Sequence, residues 1–73
     1  MGGDFVINAN KLKGRMVEKR ISQQQAARVL GIQQPTFSQK CNGVREFKVG
    51  EVQRLVKLLE IPDEEVTEYF FAQ

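Results

Sequence analysis

Six glutamines fall between Ser22 and Gly43, in the stretch SQQQAARVLGIQQPTFSQKCNG: Gln23, Gln24 and Gln25 together, the pair Gln33 and Gln34, and Gln39. A primary amide neither titrates nor attacks, but it donates and accepts hydrogen bonds at once. The chemistry open to such a cluster is recognition. The groups that would point to catalysis are not in the sequence: it has no histidine, no Gly-rich phosphate loop and no carboxylates gathered on one face against apolar walls. Cys41 has no second thiol to pair with and no histidine to share a zinc ion, so it reads as a small buried hydrophobe. The expectation is a protein that is not an enzyme, with no metal site, no cofactor and no small-molecule substrate.

The chain that must position these amides has 73 residues, enough for one domain, residues 1–73, with a small core. Apolar residues make up 41% and charged residues 27%, a composition that folds. A lone thiol suits a reducing cytoplasm. The N-terminal MGGDFVINAN has neither a basic nor an apolar signal region, and apolar runs are short, so neither membrane nor export is expected. Charge is uneven. Residues 1–50 hold nine Lys and Arg against three acids, and residues 51–73 hold two against six, which splits the net +2 into +6 and −4. A basic part suits a polyanion, and an acidic end would face elsewhere.

Every long segment reads as helix. Leu12 and Met16 mark a first helix over residues 10–19, capped by Asn8 or Asn10, with Val17 beside the stripe. Ser22 followed by Gln25 fits a capping box, Ile21 can staple it, and Ala26, Ala27, Val29 and Leu30 supply an apolar face up to Gly31, where a left-handed cap would end the helix. Gln33 and Pro35 open a third helix, with Phe37 and Cys41 on its buried stripe and Asn42-Gly43 at its end. After a loop through Phe47, Val52, Leu55, Val56 and Leu59 give the strongest amphipathic signal. Pro62 opens a last helix over about residues 62–71. Arg54 and Lys57 are expected to pair with Glu51 and Glu60 on the surface. The fold expected is an all-α compact bundle of about five short helices.

Two short helices joined by a glycine turn, with Ala27 where they cross and Ile32 after Gly31, are the local signature of a helix-turn-helix over about residues 22–43. Together with Ser22-Gln23, Leu30-Gly31-Ile32, Phe37 and Asn42-Gly43, these residues resemble the phage repressor and Cro family, the lambda-repressor-like DNA-binding domains. The resemblance covers about residues 10–61 and extends toward small Cro-like phage proteins. Lys40 departs from it, standing at a position usually apolar in the family.

The resemblance implies a sequence-specific regulator of transcription, a repressor that occupies a palindromic double-stranded DNA operator with its third helix in the major groove. A glutamine can bond N6 and N7 of adenine together, and the resemblance puts Gln34, Pro35 and Gln39 at base-reading positions, Pro35 with apolar contact only, and Gln33 and Thr36 at the edge of the groove. Gln23 and Asn42 match backbone-contacting positions of the family, and Lys40, Arg45 and Lys48 are the nearby cations for phosphates, with Lys11, Lys13 and Arg15 weaker candidates. A homodimer is expected, formed in solution or only on DNA, with its interface at Tyr69, Phe70 and Phe71. These aromatics could instead fold back on Leu55 and Leu59. Two other readings keep the fold: an antitoxin or host regulator, and a helix-turn-helix interaction module that does not bind DNA.

Overall fold

In this computed structural model residues 5–72 are described, with side-chain surroundings for residues 7–70. The order is β1 (Phe5–Ile7), α1 (Ala9–Lys19), α2 (Gln23–Leu30), α3 (Gln34–Cys41), α4 (Val49–Leu58), a 3₁₀ turn (Asp63–Glu65), α5 (Val66–Tyr69) and β2 (Phe70–Ala72). The fold is an all-α bundle whose ends are tied by a short antiparallel ribbon, with Ile7 opposite Phe70.

Local chemistry explains where each helix starts. Asn8 caps α1, its side chain accepting from the Lys11 N–H at 3.2 Å. At α2 the capping box forms in full: the Gln25 N–H donates to Ser22 Oγ at 3.1 Å and the Ser22 N–H donates to Gln25 Oε1 at 2.8 Å. Pro35 sits in the first turn of α3, where its missing N–H costs nothing. At Lys48, just before α4, the backbone N–H donates to Glu51 Oε1 at 2.9 Å.

The helix ends share one device. Arg20, Gly31, Gly43 and Glu60 follow or close α1 to α4, and each takes a positive φ, between 54° and 81°. The next residue then turns back to donate to a carbonyl five positions earlier: Ile21 to Met16, Ile32 to Ala27, Val44 to Gln39 and Ile61 to Val56. This bond satisfies a carbonyl left open by the last turn. Ile21, Ile32 and Ile61 then pack in or against the core, while Val44 stays exposed. Two of the four turns use glycine, the residue suited to the left-handed region. The other two carry the strain of a side chain there.

Inside, Leu12 and Met16 of α1, Ala26, Ala27 and Leu30 of α2, Phe37 and Cys41 of α3 and Val52, Leu55 and Leu59 at α4 form one core. The alanines let α2 lie against both α3 and α4. Val17, expected beside the first stripe, instead faces solvent. From outside the core, Arg15 ties α1 to the far end of α4, its Nε donating to the Leu59 carbonyl at 2.9 Å and its Nη2 to the Glu60 carbonyl at 2.6 Å.

The C-terminal segment differs from a single helix over 62–71. The 3₁₀ turn runs into one helical turn, and the chain becomes extended at Phe70. The cause is pairing with the N-terminus: the Asn8 N–H donates to the Tyr69 carbonyl at 2.8 Å, and β1 then takes Phe70 as a strand partner. Tyr69 and Phe70 are thereby buried within the chain, so they are not a surface for a second copy. They fold inward, as the alternative reading of these aromatics has it. The Phe71 side chain, the third part of the expected interface, lies outside the described side chains.

Two stability outcomes follow from this packing. Phe70→Ala should cost about 3–5 kcal/mol in denaturant unfolding, the usual loss for a buried phenylalanine. Arg20→Gly should gain about 0.5–1 kcal/mol by relieving the left-handed residue after α1, a gain in midpoint at unchanged denaturant slope.

Candidate functional site

Helix α3 turns three residues inward, Phe37, Lys40 and Cys41, at the i, i+3, i+4 spacing of one helical face. The rest of the helix is exposed or half-buried. Gln33, Gln34, Pro35 and Gln39 are exposed and Thr36 is half-buried, so the five residues expected to read bases share the uncovered side and first turn of one helix. The backbone behind them is fixed: the Gln39 carbonyl accepts from both Val44 N–H at 2.9 Å and Arg45 N–H at 3.3 Å, closing the turn after α3.

Beside this face lies an open groove of about 440 Å³ lined by Thr36, Lys40, Val44, Arg45, Glu46 and Lys48. It brings Arg45 and Lys48 beside Thr36 and Lys40 of α3, and neither cation makes an ion pair among the described residues. Glu46 is the one carboxylate on the groove wall. Gln23 stands apart, half-buried at the first position of α2. Asn42 is exposed, but its amide is engaged: Nδ2 donates to the Ser38 carbonyl at 2.9 Å and Oδ1 accepts from Lys13 Nζ.

Lys40 requires a correction. Expected to be a free cation for phosphate, it is only 6% exposed, and its ammonium lies 2.6 and 2.7 Å from the two carboxylate oxygens of Glu51, itself 8% exposed. A lysine on the inward face of α3 must find a counter-charge, because a buried ammonium without one is too costly. Burial alone would push the Glu51 carboxyl up. The Lys40 ammonium and the Lys48 N–H outweigh it, holding the carboxyl below the usual carboxylate range.

The other expected surface pairs are also exchanged. With Glu51 taken by Lys40, Arg54 instead donates to the Leu30 carbonyl at the end of α2 at 3.3 Å, and Glu60 pairs with Lys19 at 2.7 Å. Of the weaker candidates for phosphate, Lys11 pairs with Glu68 at 3.3 Å and lies over the Tyr69 ring, Lys13 holds Asn42, and Arg15 is spent on carbonyls. Cys41 is fully buried, and burial pushes its thiol up, as suits a packing residue.

The family model described as "Protein of unknown function (DUF739)" matches residues 4–73. The chain belongs to the DUF739 family. No curated protein matches it at a significant level. Among the described residues of this DUF739 chain no helix is long and apolar enough to cross a membrane.

In this DUF739 chain the residue that sequence reasoning missed at the site is Glu51. The signal was present: an inward lysine in α3, and an acid in the first turn of a helix whose cap position is Lys48, a residue with no side-chain acceptor to cap it.

The pair sets an expected stability pattern. Lys40→Met, which strands the carboxylate, should cost about 3 kcal/mol, and Lys40→Met with Glu51→Gln should cost less than the single change. Because the Glu51 pKa is lowered in the folded state, its contribution is present above the unfolded value near 4.5 and is lost as pH falls through the lower folded value. Urea midpoints measured between neutral pH and acid should therefore fall more steeply for the wild type than for the double variant.

Proposed function

We propose that this chain is a sequence-specific double-stranded DNA-binding regulator, a Cro-like repressor that lays α3 in the major groove of a palindromic operator. The observation that carries this reading is the outer face of α3, where uncharged amides stand uncovered beside the Arg45 and Lys48 groove. Hydrogen-bonding groups held on a helix whose opposite face is locked into a core are suited to reading base edges. Adjacent unpaired cations are suited to phosphates.

In this reading Gln34 and Gln39 each bond N6 and N7 of an adenine, Pro35 offers apolar contact to a thymine methyl, and Gln33 and Thr36 work at the groove edge. Arg45 and Lys48 neutralise phosphates, Gln23 holds another at the start of α2, and Asn42 acts through the turn it braces. Lys40 takes no part in phosphate binding, since its charge is spent on Glu51. Repression follows from occupancy: a small protein covering the operator excludes polymerase. Two copies on a two-fold operator supply the contact area that one such module lacks. A bacterial cytoplasm is the matching compartment.

Selection of binding sites from random DNA should yield a palindrome with half-sites about one helical turn apart. Gln34→Ala and Gln39→Ala should each lose about 1–3 kcal/mol of preference for that site over scrambled DNA while non-specific affinity holds. Arg45→Ala and Lys48→Ala should weaken all DNA and reduce the slope of log K against log salt by about 0.9 each, whereas Lys40→Met with Glu51→Gln leaves that slope alone. A chain that enriches no sequence, or Gln variants with wild-type discrimination, would sink the assignment.

A further inference from the structure

A second groove, of about 690 Å³, runs along α4 toward the 3₁₀ turn and α5. Its apolar floor is Val52, Val56 and Val66, and Gly50 of α4 also lines it. Its walls differ in sign. Arg54 and Lys57 of α4 stand on one side and Asp63 on the other, with Glu64 next in sequence and also exposed. Lys57, Asp63 and Glu64 make no ion pair within the chain among the described residues, where the four ion pairs that form all lie elsewhere.

This pattern selects its occupant. A polyanion meets the acidic wall, and a peptide of one sign matches only one side. A second copy of this chain related by a two-fold axis that runs along the groove meets both, because its basic wall then comes opposite the first copy's acidic wall and the reverse holds at the same time. Val52, Val56 and Val66 of the two copies then face each other across the contact and give its non-directional part, while the charges set orientation. We infer that this groove is the self-association surface of the protein, with Lys57 of each copy facing Asp63 of the other. This deepens the two-fold part of the proposed function and moves the interface from Tyr69 and Phe70, which the core has taken, to the groove between α4 and α5.

The test contains no DNA, so its failure leaves base recognition untouched. Sedimentation equilibrium of the full chain at low salt, up to about 1 mM, should show a monomer–dimer equilibrium. Lys57→Glu places two acids opposite each other in its homodimer, and Asp63→Lys places two lysines. Each variant alone should associate about tenfold more weakly or worse. An equimolar mixture of the two variants should regain dimer. In the mixed pair the two substituted positions face each other with their charges exchanged, and the unchanged Lys57 of one copy still faces the unchanged Asp63 of the other. Both positions are exposed, and far-ultraviolet circular dichroism should confirm that each variant keeps the wild-type fold. A wild type that stays monomeric, variants that associate like the wild type, or a mixture that associates no better than its components would each overturn the inference.

Discussion

Phe47 is the residue on which the arrangement of the other parts depends. Fully buried in the loop between α3 and α4, it meets Phe37 of α3 edge-on at 5.9 Å between ring centroids and Phe70 at 6.0 Å. Edge-to-face contact places the positive rim of one ring on the negative face of the next, so the rings constrain each other's orientation as well as excluding water. One side chain thus joins the inward face of α3, the loop that carries Arg45 and Lys48, and the C-terminal strand. The outer face of α3 can do without a large apolar side chain because Phe37 and Phe47 hold the helix from behind.

The Lys40–Glu51 pair adds a different kind of constraint. Hydrophobic packing is tolerant of small rotations, since area lost at one edge is regained at another. A carboxylate that takes both hydrogen bonds from one ammonium and a third from the Lys48 N–H is not. A buried ion pair contributes little net stability against an apolar pair of the same volume. What it supplies here is a fixed rotation of α3 about its own axis relative to α4, and that rotation decides which residues look outward.

Much of this was readable from residue types alone. Helix starts followed from Ser22, Gln25 and Pro35, the stop of α2 from Gly31, and the buried stripe of α4 from Val52, Leu55 and Leu59, because these are local effects that act within one turn. The uncovered side of α3 was legible for the same reason, from Phe37 and Cys41 four apart. Non-local effects were not legible. Arg20 and Glu60 take a glycine-like conformation because Ile21 and Ile61 are pulled inward by a core assembled from the whole chain. Lys40 looked like a surface cation until a partner eleven positions on folded over it. The sequence YFF read as helix because the strand that recruits Phe70 lies at the other end of the molecule.

That ribbon has a kinetic consequence. β1 and β2 are nearly the whole chain apart, so their pairing closes a loop that contains every helix, and it is favourable only once those helices have brought the ends together. The contacts between α2 and α3 span a few residues and need no such preparation. The ribbon and α5 should therefore close last in folding, and amide exchange should report weaker protection there than in the helices around Leu55. Sub-global opening of that segment sets the rate at which amide hydrogens there exchange with solvent, independently of how firmly α3 is held.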